Sequence, residues 1–243
     1  MGNWEGSDGY YRSILYNKGI AYLYPMKKLI LCFVSLLLIA AVNGQVKRSV
    51  YIPKNRTNAD TAFYYRWLNK IKQEIGIPNI INIPDTFYLR FWEAGRFIEI
   101  WTDAQNTLKG QVSFYARRLE DKKHPAQLFS NKCIMDDADA RDIYAAYTQQ
   151  NIGSVASSEE VEGYPIAGKD GEEYLFEICS GKKYTFKDYW SPSSYVQSIP
   201  EAKAIQDFVA KVDDIINGNK NYRGLKLPKG EYNNDGFGTM IVK

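Results

Sequence analysis

The chain has 243 residues, with 31 basic and 28 acidic side chains and a formal net charge of +3 at neutral pH. The two signs are interspersed, so the sequence offers no basic patch of the kind that binds nucleic acid or anionic membranes. His124 is the single histidine, so no histidine-based metal site or Ser-His-Asp triad can be assembled unless this one residue serves. We predict no metal and no cofactor.

Residues 26–44 have the three-part organisation of a secretory signal peptide, with a basic head, an apolar run and a small residue before the cleavage point. The apolar run, residues 29–42, is shorter than the ~20 residues that an α-helix needs to span the hydrocarbon core. That length favours cleavage after Gly44 over a retained anchor, so we expect a soluble product in the periplasm or outside the cell. Residues 1–25 precede the basic head and are interpreted as an upstream extension outside the fold.

Residues 45–58 are polar and aperiodic and are expected to form a lead-in linker. Residues 59–243 are enough for one domain with a sizeable core. After cleavage the charges are nearly balanced, with 27 basic and 26 acidic side chains.

The strongest strand signal is a hairpin formed by Thr86–Trp92 and Arg96–Thr102. Pairing Phe91 with Ile98 makes every cross-strand pair compatible, including Arg90 opposite Glu99. This register places five apolar side chains on one face: Phe87, Leu89, Phe91, Ile98 and Ile100. Beyond this hairpin we expect a third strand over residues 111–119 and a charged loop over residues 121–133.

A second hairpin is predicted over Glu173–Trp190, with its turn at Ser180-Gly181. We expect five apolar side chains of this hairpin to share one face: Tyr174, Phe176, Ile178, Tyr184 and Phe186. A short strand is expected at residues 161–166, and an edge strand at residues 239–242.

We predict three helices, because in three segments the apolar residues recur every three or four positions. The first begins near Asp60 and stops at Gly76, and the second follows Asp136, with Tyr144 and Tyr147 in its apolar stripe. The third starts at a capping box, Ser198 to Glu201. Together these elements predict an α+β fold, with an antiparallel sheet of five or six strands and three helices packed on it.

Only Cys133 and Cys179 remain after cleavage. Because thiols are oxidised in exported proteins, we predict that these two form a disulfide. The alternative is a nucleophilic pair of one cysteine with His124.

Two groups of side chains are candidates for binding. The outer face of the first hairpin carries Tyr88, Arg90, Trp92 and Trp101, unless a helix covers that face. The exit of the second hairpin carries Tyr189, Trp190 and Tyr195 before the last helix, and a strand exit held by a buried tryptophan and a proline turn is an equally good explanation.

These features favour a non-catalytic binding or interaction module whose partner is a protein or a glycan surface. The main alternative is an exported hydrolase that uses paired carboxylates, and a third is an inhibitor or immunity-type protein. The carboxylates available to such a hydrolase are Glu93, Glu99, Asp103, Glu177 and Asp188.

We expect the exported protein to begin at Gln45, because Gly44 closes the cleavage site. Intact mass and N-terminal sequencing of the purified product test this, with allowance for cyclisation of Gln45. Recovery of a membrane-bound product that retains residues 29–42 would contradict the prediction.

Overall fold

Alternating apolar patterns along this chain produce one large sheet with helices on both faces. The computed structural model describes residues 47–54, 63–84, 86–165, 171–233 and 239–243, all within one compact unit of residues 46–243. The predicted extension, the predicted signal peptide and the expected helix start at Asp60 lie outside the described residues.

The helices are α1 (Phe63–Glu74), α2 (Asp137–Gln149) and α3 (Pro200–Gly218). The strands are β1 (Ser49–Tyr51), β2 (Phe87–Glu93), β3 (Arg96–Thr102), β4 (Leu108–Arg118), β5 (Gln127–Ile134), β6 (Glu173–Ser180), β7 (Lys183–Trp190), β8 (Gly230–Asn233) and β9 (Thr239–Val242). None of the described helices is long and apolar enough to cross a membrane.

The strands follow the order β1-β7-β6-β2-β3-β4-β8-β9, and β5 also pairs with β4. The α+β class is therefore confirmed, but the sheet is larger than the predicted five or six strands. It is also mixed, because β1 runs parallel to β7 while the other pairs are antiparallel. Two segments that the sequence assigned to irregular structure account for part of the difference: β1 lies in the expected lead-in, and β5 in the expected charged loop.

The predicted register of the first hairpin is confirmed. Phe91 pairs with Ile98 and Arg90 with Glu99. The five apolar side chains assigned to one face all lie in one buried cluster, which also contains the apolar stripe of α3. Alternation of apolar and polar residues fixed this register, since a slip of one residue would have exposed the whole set.

The second hairpin has the predicted limits, but two of its side chains were placed on the wrong face. Ser180 pairs with Lys183 across a two-residue turn, so Tyr184 lies opposite Cys179 and Phe186 opposite Glu177. Directly opposed residues share a face. Tyr184 and Phe186 therefore pack with α1, away from the face of the sheet that α2 and α3 cover.

The start of α3 also differs from the prediction. Ile199 is the N-cap residue, and it makes no side-chain cap because its side chain is a hydrocarbon; Pro200 occupies the first turn. The Ser198 hydroxyl donates instead to the Tyr195 carbonyl at 3.3 Å. No strand forms over residues 161–165, and Ile166 lies outside the described residues, whereas the edge strand at 239–242 is confirmed.

The predicted disulfide is wrong, because Cys133 and Cys179 are both free. They lie on β5 and β6, which are separated by three strands, so four strand spacings of about 4.8 Å place them ~19 Å apart. Burial raises the pKa of the Cys179 thiol to about 11, and its Sγ donates to the Ile80 carbonyl at 3.3 Å. This thiol is unreactive at neutral pH.

Candidate functional site

A buried ionic network centred on Glu177 lies between α1 and the face of the sheet that this helix covers. Its carboxylate accepts hydrogen bonds from Lys72 Nζ at 2.5 Å, Trp92 Nε1 at 3.1 Å and the Tyr184 hydroxyl at 3.0 Å. Arg90 Nη1 lies 3.3 Å from the same carboxylate. Burial alone would raise the pKa of Glu177, but Arg90 and Lys72 more than offset it, so the pKa lies below its ordinary value.

Glu99 is the second acid of this network. It accepts hydrogen bonds from Arg90 Nε at 2.8 Å, from the Tyr88 hydroxyl at 2.7 Å and from the Gln111 amide. Arg90 thus lies between two carboxylates, and its Nη1 also donates to the Pro78 carbonyl at 3.1 Å. Glu177 and Glu99 thus both accept hydrogen bonds from several buried donors, which is typical of carboxylates that stabilise a fold.

The network explains where the first group of predicted binding residues lies. Tyr88, Arg90 and Trp92 are buried, in contact with apolar side chains of α1 and of the short turn Ile80–Asn82. Trp101 is partly exposed and stacks on Tyr88 with ring centroids 5.9 Å apart. Their role in binding stays a prediction, but in this structure the first three offer little surface to a partner.

The second group of predicted binding residues contains one buried and two partly exposed side chains. Tyr189 is fully buried in the cluster beneath α3, and its hydroxyl donates to the Val155 carbonyl at 3.3 Å. Trp190 and Tyr195 are partly exposed neighbours, with ring centroids 6.3 Å apart. They form an aromatic corner where β7 ends.

A cluster of buried acids lies where β6 begins and β7 ends. Asp188 accepts hydrogen bonds from the hydroxyls of Ser157 at 2.9 Å and Ser158 at 3.1 Å, which attaches the segment before Glu160 to the sheet. Burial raises the pKa of Asp188 to about 6, and Glu159 adds to the rise. Burial and then the negative charge of Asp188 raise the pKa of Glu173 well above its ordinary value.

The remaining carboxylates proposed for a hydrolase also have structural partners. Glu93 pairs with Arg96 at the end of the first hairpin. Asp103 accepts hydrogen bonds from the backbone of Gln105 at 3.0 Å and of Thr107 at 2.8 Å, as turn residues do. Among the described residues no group of three or more acidic, histidine or cysteine side chains could hold a metal ion.

A pocket of about 290 Å³ lies beside the first hairpin and brings Glu93 close to Glu172. These acids are not free to act as a catalytic pair. Glu93 is bound to Arg96, which also pairs with Asp213 of α3, while Glu172 accepts the Tyr174 hydroxyl at 2.6 Å.

The opposite end of the sheet carries a more promising cavity of about 390 Å³, which we call the tyrosine trough. Its floor is the adjoining ends of β6 and β7, and its walls are the last turns of α2 and the segment that follows. The lining consists of Tyr144, Tyr147, Thr148, Asn151, Gly153, Ser154, Ile178, Ser180, Lys183 and Thr185.

The aromatic wall of the trough is ordered by packing. Tyr144 and Tyr147 are stacked with ring centroids 6.0 Å apart, and both meet the Phe87 ring edge to face, at 5.0 and 5.2 Å. Both rings remain partly exposed, whereas the buried stripe of α2 consists of Ala140, Ile143 and Ala146. The two tyrosines that the sequence assigned to the apolar stripe therefore contribute to a cavity.

Lys187 fixes the second wall. Its buried ammonium donates to the carbonyls of Ile152 at 2.7 Å, Gly153 at 2.9 Å and Val155. Burial lowers the pKa of Lys187 to about 8. These bonds hold the segment after α2 against the sheet.

Several hydroxyls of the trough retain their hydrogen-bonding capacity. Within the part of the chain that the structure describes, five lining side chains make no side-chain hydrogen bond: Tyr144, Tyr147, Ser154, Ser180 and Thr185. Lys183 is the one lining residue with an ionisable group other than a phenol, and its ammonium lies 5.2 Å from the centre of the Tyr51 ring. Sequence reasoning missed this site because its residues come from two separate segments.

No protein-family model matches the chain, and no curated protein shows significant similarity to it. The site must therefore be interpreted from its own geometry.

We expect Asp188→Asn to flatten the pH dependence of stability between about pH 4 and pH 7. The pKa of Asp188 is about 6 in the folded protein and 3.8 when unfolded, so the folded state binds the proton more tightly. The contribution of this carboxyl to the free energy of unfolding is therefore fully present below pH 3.8 and is lost as pH rises through 6. That shift corresponds to at most about 3 kcal/mol.

Urea unfolding of the wild type and the variant across this pH range measures the effect. Glu162→Gln, at an exposed acid of the neighbouring segment, is the control and should keep the wild-type slope. An unchanged slope in Asp188→Asn would show that this carboxyl titrates normally.

Proposed function

We propose that the chain is an exported, non-catalytic binding protein that holds its ligand in the tyrosine trough. The observation that carries the proposal is the composition of this cavity. Five uncommitted hydroxyls, two of them on stacked tyrosines, and one lysine converge on a space of about 390 Å³. Concave sites with apolar surface and a few placed polar groups are typical of ligand binding.

The chemistry of the lining supports binding over catalysis. It contains no carboxylate, histidine or cysteine among the described residues, so the serines of the lining have no histidine or carboxylate beside them to activate them as nucleophiles. The carboxylates of the hydrolase alternative lie elsewhere, bound to Arg90, Arg96, serine hydroxyls or turn amides. We therefore favour the binding role over a hydrolase that uses paired carboxylates.

Pre-organisation of the walls also supports the proposal. The three carbonyls held by Lys187 and the edge contacts of both tyrosines with Phe87 fix the cavity before a ligand arrives. A site of this kind loses little conformational entropy when it binds. Export is part of the proposal and depends on residues 26–44, which the described structure does not include.

Ser180→Arg should abolish ligand binding, because Ser180 lies on the exposed floor of the trough and an arginine there would fill it. The test is a thermal-shift panel of neutral sugars, sugar acids, amino acids and nucleotides. At least one compound should raise the melting temperature of the wild type, since a ligand at 100 times its Kd stabilises by about 2.7 kcal/mol.

Ser130→Arg is the matched control, because Ser130 is an exposed strand residue of β5 outside the trough. It should respond to the panel as the wild type does. The proposal fails if no compound stabilises the wild type, or if stabilisation survives Ser180→Arg.

A further inference from the structure

We infer that the ligand of the tyrosine trough is a neutral saccharide, an inference that rests on the proposed binding function. The hydroxyl groups of the lining supply the first argument. A hydroxyl both donates and accepts hydrogen bonds, whereas a carboxylate only accepts and an ammonium only donates. A cavity with five uncommitted hydroxyls therefore complements a ligand whose own polar groups are hydroxyls.

The charge around the trough supplies the second argument. Lys183 contributes one positive charge to the lining. Helix α2 ends beside the same cavity, so the negative end of its dipole opposes this charge. The next basic residue, Lys187, is occupied by three carbonyls, and the nearby Glu160 accepts the Tyr51 hydroxyl. The partial negative charge of the helix end, about half an elementary charge, and the Glu160 carboxylate reduce the positive field of Lys183, so the site favours an uncharged ligand over an anion or a cation.

The aromatic wall supplies the third argument. A pyranose ring presents C–H groups on its faces and hydroxyls around its rim. Tyrosine offers a matching surface, an apolar ring with a polar tip. Tyr144 and Tyr147 are both partly exposed and lie beside Ser180 and Thr185 on the floor. One sugar ring can thus meet an aromatic surface and hydroxyl partners at the same time.

The experiment is calorimetric titration of the full chain with three kinds of probe: neutral trisaccharides of glucose, galactose and N-acetylglucosamine, trigalacturonate, and free amino acids. At least one neutral trisaccharide should bind, and trigalacturonate should bind more weakly. Tyr144→Ala should weaken the neutral ligand about tenfold, equivalent to about 1.4 kcal/mol.

Variants that remove a single positive charge test whether the ligand is neutral or anionic. Lys183→Gln should change the affinity for the neutral trisaccharide by no more than about threefold, because the glutamine amide can still donate a hydrogen bond and only the charge is removed. Lys182→Gln, at the neighbouring turn position outside the lining, is the matched control and should have no effect. Tyr144→Phe and Ser180→Ala preserve packing and should each weaken binding, so the test does not depend on a variant that unfolds.

Two results would overturn the inference in different ways. Binding confined to trigalacturonate or an amino acid, lost in Ser180→Arg, would exclude the neutral saccharide but keep the trough as a binding site. Failure of every class of compound in both the titration and the wider panel would remove the proposed function as well.

Discussion

The fold depends on Arg90, whose side chain lies between those of Glu177 and Glu99 on the face of the sheet that α1 covers. Together with Lys72 this gives two buried cations and two buried anions, all joined by contacts of 2.5–3.3 Å. Burying any one of these charges alone would be costly, and removing one partner of a buried pair typically destabilises a protein by about 3–5 kcal/mol. The network therefore requires β2, β3, β6 and α1 to assemble together.

This constraint determines which face of the sheet is available to a ligand. Lys72 belongs to α1, so its bond to Glu177 attaches the helix directly above Tyr184 and Trp92. On the opposite face α3 packs along the strands, with Phe208 against Phe91 and Phe176. Helix α2 ends before it covers the ends of β6 and β7, and the uncovered strand ends become the floor of the trough.

Local patterns in the sequence were sufficient for much of the fold. The register of the first hairpin and the Arg90–Glu99 pair followed from alternation across a short turn. The face of Tyr184 was missed because it depends on a two-residue turn, where one residue more or less inverts every side chain. Strand β5 was missed because it is a polar edge strand whose residues show little alternation.

The candidate site was less predictable than the fold, for reasons of distance along the chain. Lys72 and Glu177 are 105 residues apart, and no local signal identifies them as partners. The aromatic residues of the first hairpin had the composition of a binding surface, but the helix that covers them also had to be positioned in space. Tyr144 and Tyr147 fit a helical stripe equally well whether they face a core or a cavity.

The most direct test of this account is a two-dimensional NMR titration of the labelled protein with the neutral trisaccharide that binds best. The account predicts that the backbone amide signals of Tyr144, Ser180 and Thr185 shift, while the indole signal of Trp92, hydrogen-bonded to Glu177, stays in place. Shifts of the Trp92 and Trp101 indole signals, with the trough signals unmoved, would contradict it and place the binding surface on the face that α1 covers.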